Sequence, residues 1–304
     1  MRAAVLHEVD GPLSVEDVPE PEAGEGQSVV DVKAAGINFA DVLIRNGQYP
    51  HPPPLPTILG NEVAGDLDGR RVIAFVRSSG GGYAERVAVD DQWVFDLPPN
   101  ATYSEGASLL TTYLTAWIPL MRQARLHPGS NVLVTAAAGG VGTAAIQVAG
   151  FLGASVTAAA GSEEKLALAR ELGALRTVSY EEIGELDDID VALDPVGGSV
   201  FTACLQALRP LGVAIAIGFA GGAWEAVDPA RLVGRNVGVQ GFFLGRLLGF
   251  RPELVREEAE ELLALWRRGA IRPVVGAEFP LEQASEAHEL IASRKSTGKV
   301  VLVP

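Results

Sequence analysis

The sequence predicts an α/β protein in which a doubly wound parallel sheet follows an irregular, β-rich domain. Three observations support this prediction. Short β-prone runs bounded by Pro and Gly fill the N-terminal third, strands and helices alternate from about Thr112, and a glycine-rich turn joins the first strand and helix of that alternation. The 304 residues accommodate two domains, and a hydrophobic content of 48% allows each to bury a core.

The individual elements follow from local patterns. In the N-terminal part, the strand candidates are SVVDVKAAG, RVIAF and YAERVAV. TTYLTAWIPLMRQARL has helical spacing, and HPGS ends it before the strand NVLVT. Further strand candidates are ASVTAA, RTVS, DVALD, GVAIAIG and VGVQGF, and they alternate with the helix candidates VGTAAIQVAGFL, SEEKLALARELG and GGSVFTACLQAL. This alternation predicts a parallel sheet covered on both faces.

The chain leaves the alternation in its C-terminal part. RPELVREEAEELLALWRRG carries leucines on one helical face, LEQASEAHELIASRK is a second helix candidate, and GKVVLVP is a closing strand. We predict that this tail rejoins the N-terminal domain. Residues 1–112 and 247–304 then form one domain, and residues 113–246 form the other.

The segment NVLVTAAAGGVG has the features of a phosphate-binding turn. Gly139 and Gly140 allow the backbone to approach a ligand, and Gly142 allows the following helix to pack closely on the strand. With Val141, these residues begin a helix whose first amides favour a pyrophosphate. Ala137 stands at the first glycine position of the usual fingerprint, so an ordinary tight turn is the alternative. The strand-helix alternation favours dinucleotide binding.

The end of the second strand of the alternation bears on the choice of dinucleotide. NAD-binding chains usually carry an acidic residue there for the ribose hydroxyls, whereas this chain has Ala159 and Ala160. Gly161, Ser162 and Lys165 follow and form a small polar turn with a cation, which favours the 2′-phosphate of NADPH. The alternative is that Ser162 only caps a helix and Lys165 is solvated.

Composition excludes several classes of function. There are 24 Lys and Arg against 38 Asp and Glu, so the net charge of −14 disfavours nucleic acid as a partner. The single cysteine, Cys204, excludes an intramolecular disulfide or a multi-cysteine zinc site. The stretch between Arg125 and Glu163 lacks charged side chains, but its glycines indicate a buried core rather than a membrane span. We expect a cytoplasmic protein without a membrane partner.

Several motifs follow one another in an order typical of one family. They are AGINFADVLIRNGQYP, LGNEVAG, GGYAERVAV, LTAW, AAAGGVG, GSEEK, DPVGG, IGFAGG and SRKSTGKVVL. Over essentially its whole length, the chain resembles the quinone oxidoreductase (zeta-crystallin-like) group of the medium-chain dehydrogenase/reductase superfamily. The resemblance implies a GroES-like catalytic domain of partly opened β-barrel form, a Rossmann dinucleotide-binding domain and a cleft between them.

Catalytic zinc is not expected. Zinc-using members of the superfamily have a cysteine and a histidine where this chain has Asn38 and Asn61, and carboxamides are poor zinc ligands. Glu62 alone does not hold a metal. The four histidines are scattered along the chain: His7, His51, His127 and His288. We predict a zinc-free reductase; the alternative is that the two asparagines merely satisfy turn backbone.

The resemblance also implies the site residues. Asn38, Asp41 and Tyr49 border the nicotinamide and Thr115 lies beneath it. Tyr49 either donates a hydrogen bond to the accepting carbonyl or only shapes the pocket. The residues expected at the 2′-phosphate are Ser162, Lys165, Tyr180 and Arg294. Those that follow the fifth and sixth strands of the parallel sheet, near the nicotinamide, are Ile217, Gly218, Phe243 and Leu244.

These expectations define the function as NADPH-dependent quinone reduction without zinc. One alternative is an NADPH-dependent reductase of 2-alkenals or enones, and another is a non-catalytic NADPH-binding structural or RNA-associated protein. The resemblance implies a homodimer joined through the edge strand VGVQGFF. The chain departs from the family in the short segment between Gly65 and Arg70, in Gly150 where a basic residue is usual, and in Pro195 where a polar residue is usual.

Overall fold

The chain divides into two compact units. The computed structural model describes residues 1–76 and 81–304. The first unit comprises Met1–Thr111 and Arg272–Pro304, and the second comprises Thr112–Ile271. The N-terminal elements are, in chain order, β1 (Arg2–Leu6), β2 (Leu13–Asp17), β3 (Gln27–Ile37), α1 (Phe39–Arg45), β4 (Thr57–Ile58), β5 (Glu62–Leu67), β6 (Arg70–Phe75), β7 (Arg86–Asp90), β8 (Val94–Asp96) and α2 (Tyr103–Gly106).

The remaining elements complete both units. From Leu110 onward they are α3 (Leu110–Ile118), β9 (Asn131–Val134), α4 (Gly140–Phe151), β10 (Ser155–Ala159), α5 (Glu163–Glu171), β11 (Arg176–Val178), β12 (Ile189–Asp194), α6 (Gly198–Ala207), β13 (Leu208–Ala216), α7 (Pro229–Arg235), β14 (Gly238–Gly241), α8 (Leu244–Phe250) and α9 (Pro252–Arg267). The chain ends with β15 (Val275–Pro280), α10 (Ala284–Ala292) and β16 (Lys299–Val303).

The second unit contains the predicted doubly wound sheet. Its six strands run in the order β11-β10-β9-β12-β13-β14, and every neighbouring pair is parallel. Strands buried on both faces need continuous apolar runs, which explains NVLV in β9 and the buried Val191, Ala192 and Leu193 of β12. The order changes direction between β9 and β12, and in such sheets ligands bind beyond the carboxyl ends of the strands at that point.

The long uncharged segment folds as a core. It supplies β9, α4 and β10, which lie next to one another in the second unit. Within residues 1–76 and 81–304, no helix combines the length and apolar character needed to cross a bilayer. Val132, Leu133, Ile146 and Val156 are buried, and this burial confirms the interpretation of the segment as a core.

The first unit is built from two sheets. An antiparallel sheet has the order β2-β1-β4, and a larger sheet has the order β15-β16-β3-β5-β6-β8 with β7 also paired to β3. Val30, Val63, Val72 and Leu302 belong to the core between its elements. The short segment DLDG forms a tight hairpin between β5 and β6, where Asp68 and Gly69 have φ of 49° and 78°. An Asp-Gly pair favours this left-handed turn.

The C-terminal tail is shared between the units. β16 pairs antiparallel with β3, which returns residues 272–304 to the first unit as the sequence predicts. The predicted division differs from the compact units over residues 247–271, because α9 lies in the second unit. Glu258 of α9 is buried there, where it accepts hydrogen bonds from Trp117 Nε1 and, at 2.6 Å, from Arg122 Nε.

Close packing at the start of α4 yields a stability prediction. A Cβ at Gly142 would lie 2.2 Å from the backbone oxygen of Ala136, whereas a Cβ at Gly150 of the same helix meets nothing within 4 Å. We expect Gly142→Ala to lower the free energy of unfolding by about 1–3 kcal/mol. Gly150→Ala should raise it by about 0.5–1 kcal/mol, because alanine has the better helix propensity. Urea unfolding of both variants tests this, and equal effects would contradict the packing argument.

Candidate active site

The glycine turn forms a cradle of backbone amides. Gly139 precedes α4 in an extended conformation, and no side chain caps the helix. The first internal hydrogen bond of α4 runs from Thr143 N to Gly139 O at 2.8 Å. The amides of Gly140, Val141 and Gly142 donate to no other residue in the part of the chain that the structure describes. Unpaired amides at the positive end of a helix fit a pyrophosphate.

A buried carboxyl group holds the strand ends beside this cradle. Asp194, at the end of β12, accepts hydrogen bonds from Thr135 Oγ1 at the end of β9, from Val196 N and, at 2.8 Å, from Gly197 N. Burial raises the pKa of Asp194. The sequence analysis missed this residue, although an acid directly before a glycine turn in DPVGG is a signal for it.

A cavity of about 460 Å³ opens beyond the ends of β10 and β11. Gly161, Ser162 and Tyr180 line it, so three of the residues expected near the adenosine lie together. A Cβ at Gly161 would lie 3.6 Å from Cε2 of Tyr180, which puts the tyrosine ring beside the turn. The cavity fits the adenosine end of a dinucleotide that extends from the glycine cradle.

The cationic residue that lines this cavity is Arg170 rather than the expected Lys165. Lys165 is not among the lining residues, and its backbone N donates to Ser162 Oγ at 3.4 Å, so Ser162 does cap α5. Arg170, which the sequence analysis did not select, lines the cavity and donates to Glu163 Oε1 at 2.7 Å. Both cations lie on α5, and the role of Lys165 at a 2′-phosphate stays a prediction.

The other residues expected near the nicotinamide follow β13 and β14. Ile217 N donates to Asp194 O at 3.0 Å, and a Cβ at Gly218 would lie 3.0 Å from Pro195 O. Phe243 is 58% exposed, whereas Leu244 is buried. Their contact with a nicotinamide stays a prediction.

A buried lysine occupies the centre of the candidate site in the first unit. Lys299 and Glu62 are 3% and 1% exposed, and Lys299 Nζ lies 2.5 Å from Glu62 Oε1. The same Nζ donates to Asn38 Oδ1 at 2.5 Å. Asn38 Nδ2 donates to Glu62 Oε1 at 3.0 Å and to Asn61 Oδ1 at 2.8 Å. Two residues that the sequence analysis compared with zinc ligands therefore contact each other.

The donor set here does not fit a zinc ion. The ammonium of Lys299 already binds one oxygen of Glu62 and the oxygen of Asn38, so a cation is present where a metal would need those ligands. The other oxygen of Glu62 accepts from Thr111 N at 2.9 Å. Among the described residues, no cluster of three or more His, Cys, Asp or Glu side chains has metal-site geometry. The groups that this site offers to a ligand are therefore hydrogen-bond donors.

Asp41 lies beside this cluster in a second buried network. Its Oδ2 accepts from Asn38 N at 2.8 Å and from the Tyr83 hydroxyl at 3.1 Å. Burial raises the pKa of Asp41 to about 6. His288 Nε2 lies 3.2 Å from the Tyr83 oxygen, and burial lowers the pKa of His288 to about 3. Because the single Tyr83 proton is directed to Asp41, the neutral histidine donates from Nε2.

Tyr49 is a half-buried hydrogen-bond donor near Asp41. Burial, and then the charge of Asp41, raise the pKa of Tyr49, so its hydroxyl stays protonated at neutral pH. Its backbone N donates to Leu43 O at 3.1 Å, which ties it to the end of α1. The hydroxyl forms no hydrogen bond with another described residue.

Two expected residues are not grouped with the others. Thr115 is a partly exposed residue of α3 in the second unit, and Arg294 is exposed after α10 in the first unit, with φ of 58°. Their predicted contacts with the nicotinamide and the 2′-phosphate stay predictions.

The buried Asp41 makes stability depend on pH. Its pKa of about 6 lies above the value of 3.8 expected in the unfolded chain, so its contribution is fully present below about pH 4 and is lost as the pH rises through about 6. Between about pH 4 and pH 7, the wild type should lose roughly 3 kcal/mol of unfolding free energy relative to Asp41→Asn, which does not titrate. Urea unfolding across this range checks the change; parallel curves for the two proteins would contradict it.

Family models match both units. "Alcohol dehydrogenase GroES-like domain" matches residues 24–99, and "Zinc-binding dehydrogenase" matches residues 140–266. Quinone oxidoreductase-like protein 2 of Rattus norvegicus is 37% identical over 323 aligned positions, which cover 99% of this chain and 91% of the rat protein.

Solved structures of proteins from the same family match this chain over its whole length. The quinone oxidoreductase of Thermus thermophilus, also determined in complex with NADPH, is 41% identical with a TM-score of 0.90, and the match covers 100% of both chains. A mycobacterial protein in complex with NADPH is 31% identical with a TM-score of 0.93 and the same coverage. The predicted GroES-like and Rossmann architecture is thus confirmed. The chain belongs to the quinone oxidoreductase group of the medium-chain dehydrogenase/reductase superfamily.

Proposed function

We propose that this NADPH-dependent oxidoreductase reduces quinones without a metal ion. The observation that carries the proposal is the half-buried, protonated Tyr49 hydroxyl beside a site whose buried cation is Lys299 rather than zinc. A metal polarises an unactivated carbonyl, and a neutral hydrogen-bond donor does so less strongly. Acceptors that are already electrophilic, such as quinones, therefore suit this site. Names of relatives that match nearly the whole chain support the same acceptor.

The second unit supplies the features that hold the cofactor. The amides of Gly140, Val141 and Gly142 fit the pyrophosphate, and the cavity lined by Gly161 and Tyr180 fits the adenosine. β10 ends in alanine, so no carboxylate at the strand end repels a 2′-phosphate. When bound, NADPH supplies the hydride.

The residues of the first unit act on the acceptor. Tyr49 donates a hydrogen bond to the oxygen on which negative charge develops. Its raised pKa keeps the proton on the phenol, so it stabilises that charge without ionising first. Asp41 is buried and already accepts two hydrogen bonds, and it holds the start of α1 in place. A conjugated enone or 2-alkenal develops charge on oxygen in the same way, so it is the competing acceptor.

The exposed edge of the parallel sheet supports assembly as a homodimer. β14 is the last strand of the sheet, and among the described strands it pairs only with β13. An edge strand presents unpaired backbone groups to a second copy. Phe243, two residues after β14, is 58% exposed, which adds apolar surface for such a contact.

Removal of one hydroxyl tests the reaction. We expect Tyr49→Phe to lower kcat with a naphthoquinone by about tenfold and to leave NADPH affinity unchanged, because the lost hydrogen bond forms mainly in the transition state. Tyr103→Phe is the control, since the Tyr103 hydroxyl donates to Asp66 instead. Steady-state kinetics with the quinone and with a 2-alkenal provide the measurement. A higher kcat/KM for the alkenal would show that an alkenal, not a quinone, is the preferred acceptor. Unchanged turnover in Tyr49→Phe would show that Tyr49 only shapes the pocket.

Cofactor preference tests the polar turn. NADPH should bind more tightly than NADH, and Lys165→Ala should remove about 1–2 kcal/mol of that preference by loss of a charge-assisted contact. Arg170→Ala, measured in parallel, decides which cation of α5 carries the effect, and Lys33→Ala in β3 is the control. Titration by quenching of tryptophan fluorescence gives the affinities. Equal affinity of the wild type for both cofactors would contradict the assignment.

A further inference from the structure

The buried ion pair fixes the direction of a chain of hydrogen bonds. Lys299 Nζ donates to Glu62 Oε1 and to Asn38 Oδ1, both at 2.5 Å. An ammonium can only donate hydrogen bonds, and an ionised carboxylate can only accept them. Lys299 and Glu62 therefore fix which groups donate and which accept at this end of the series of hydrogen bonds.

The fixed donor and acceptor roles of Lys299 and Glu62 determine the amide orientations of the two asparagines, Asn38 and Asn61. The oxygen of Asn38 must face Lys299, so its Nδ2 must donate, and it does so to Glu62 Oε1 at 3.0 Å and to Asn61 Oδ1 at 2.8 Å. Both Nδ2 protons of Asn38 are then used within the protein. Asn61 must in turn present its oxygen to Asn38. The amide orientation of both residues follows from their partners.

Asn61 is left with an amide donor that no described residue accepts. Its Nδ2 forms no hydrogen bond with any residue in the described ranges. The side chain is partly exposed, and Nδ2 is not among the buried polar atoms that lack a partner. The chain of hydrogen bonds that begins at a buried lysine thus ends at an amide donor open to a ligand.

We propose that Asn61 is a hydrogen-bond donor to the acceptor oxygen and that Lys299 is the positioning residue that sets its orientation. Asn61 binds Asn38, Asn38 N donates to Asp41, and the charge of Asp41 reaches Tyr49. Asn61 is thus separated by one residue, Asn38, from the buried carboxyl group whose charge acts on Tyr49. A donor whose orientation is fixed before the reaction pays no reorganisation cost when charge appears.

The inference rests on the proposed quinone reduction. NADPH is oxidised to NADP⁺ as its hydride, with two electrons, passes to the quinone, which becomes a hydroquinone monoanion. A proton from solvent then completes the hydroquinone. Asn61 and Tyr49 stabilise the negative oxygen of the monoanion, and neither has to give up its proton.

The Asn61→Asp variant tests the donor directly. The introduced carboxyl group has nearly the same shape, accepts hydrogen bonds when ionised and donates one when protonated. We expect kcat/KM for a naphthoquinone to fall about tenfold or more at about pH 8 and to recover toward the wild-type value as the pH falls to about 4, near the ordinary pKa of an aspartate. NADPH affinity should stay unchanged. Gln48→Glu adds the same charge at an exposed position near Tyr49 and should give no such recovery.

Each outcome of this experiment is decisive. Wild-type kcat/KM at about pH 8 in Asn61→Asp, or a loss that does not recover at acid pH in a folded variant, would overturn the role of Asn61. If the wild type failed to oxidise NADPH with every quinone tested, the proposed function would be refuted, and the present inference with it.

A second variant tests the positioning role of Lys299. Lys299→Met combined with Glu62→Gln removes both charges of the pair, so neither is left buried without its partner and folding is retained more readily than with either single change. The introduced glutamine amide can both donate and accept, and the orientation of Asn38 is no longer imposed. We expect kcat for the quinone to fall several-fold with little change in KM or NADPH affinity. An unchanged kcat in the folded double variant would show that Lys299 does not orient the donor.

Discussion

The buried ion pair between Lys299 and Glu62 is the interaction on which the first unit's candidate site depends. Removal of two charges from water is costly, and loss of either partner would leave the other buried and uncompensated. The pair joins β16 to the start of β5, and through Asn38 it reaches the start of α1. Gly36 of β3 makes room for it, because a Cβ there would lie 2.9 Å from Lys299 Cε and 2.1 Å from Ala107 O.

A comparable constraint organises the second unit. Asp194 binds the end of β9 and the turn after β12, and Gly142 lets α4 approach the backbone of the preceding turn. Together they help to define the geometry of the α4 amides that we propose bind a pyrophosphate. In both units, a buried polar group is bonded to the segment that carries candidate donors: Asp194 to the turn after β12 in one, and Lys299 through Asn38 to Asn61 in the other.

Local patterns were sufficient to predict much of the fold. The apolar runs of β9, β10, β12 and β13 and the helices between them predict a parallel sheet, because strand and helix periods differ and buried strands need continuous apolar sequence. The assignment of α9 was not accessible in this way. Its leucine face fits any apolar partner, and long-range contacts such as those of Glu258 with Trp117 and Arg122 associate it with the second unit.

Among the site residues, too, those in a local motif are predictable from the sequence, and those placed by long-range contacts are not. Asn38, Asp41 and Tyr49 are implied by the family resemblance of one continuous motif, and the structure brings the first two into direct contact. Lys299 was missed. In GKVVLVP it reads as an ordinary residue at the start of an apolar strand, and its burial arises only when β16 pairs with β3 from the other end of the chain. Long-range pairing of this kind leaves no periodic signal in one sequence.

The most direct test of this account is a crystal structure of the protein with oxidised cofactor and a hydroquinone, which does not react further. The account predicts a hydroquinone oxygen about 3 Å from Asn61 Nδ2 or Tyr49 Oη, with Lys299 Nζ still bound to Glu62 and Asn38. A hydroquinone oxygen that contacts neither donor, or a metal ion bound by Glu62 in place of Lys299, would contradict it.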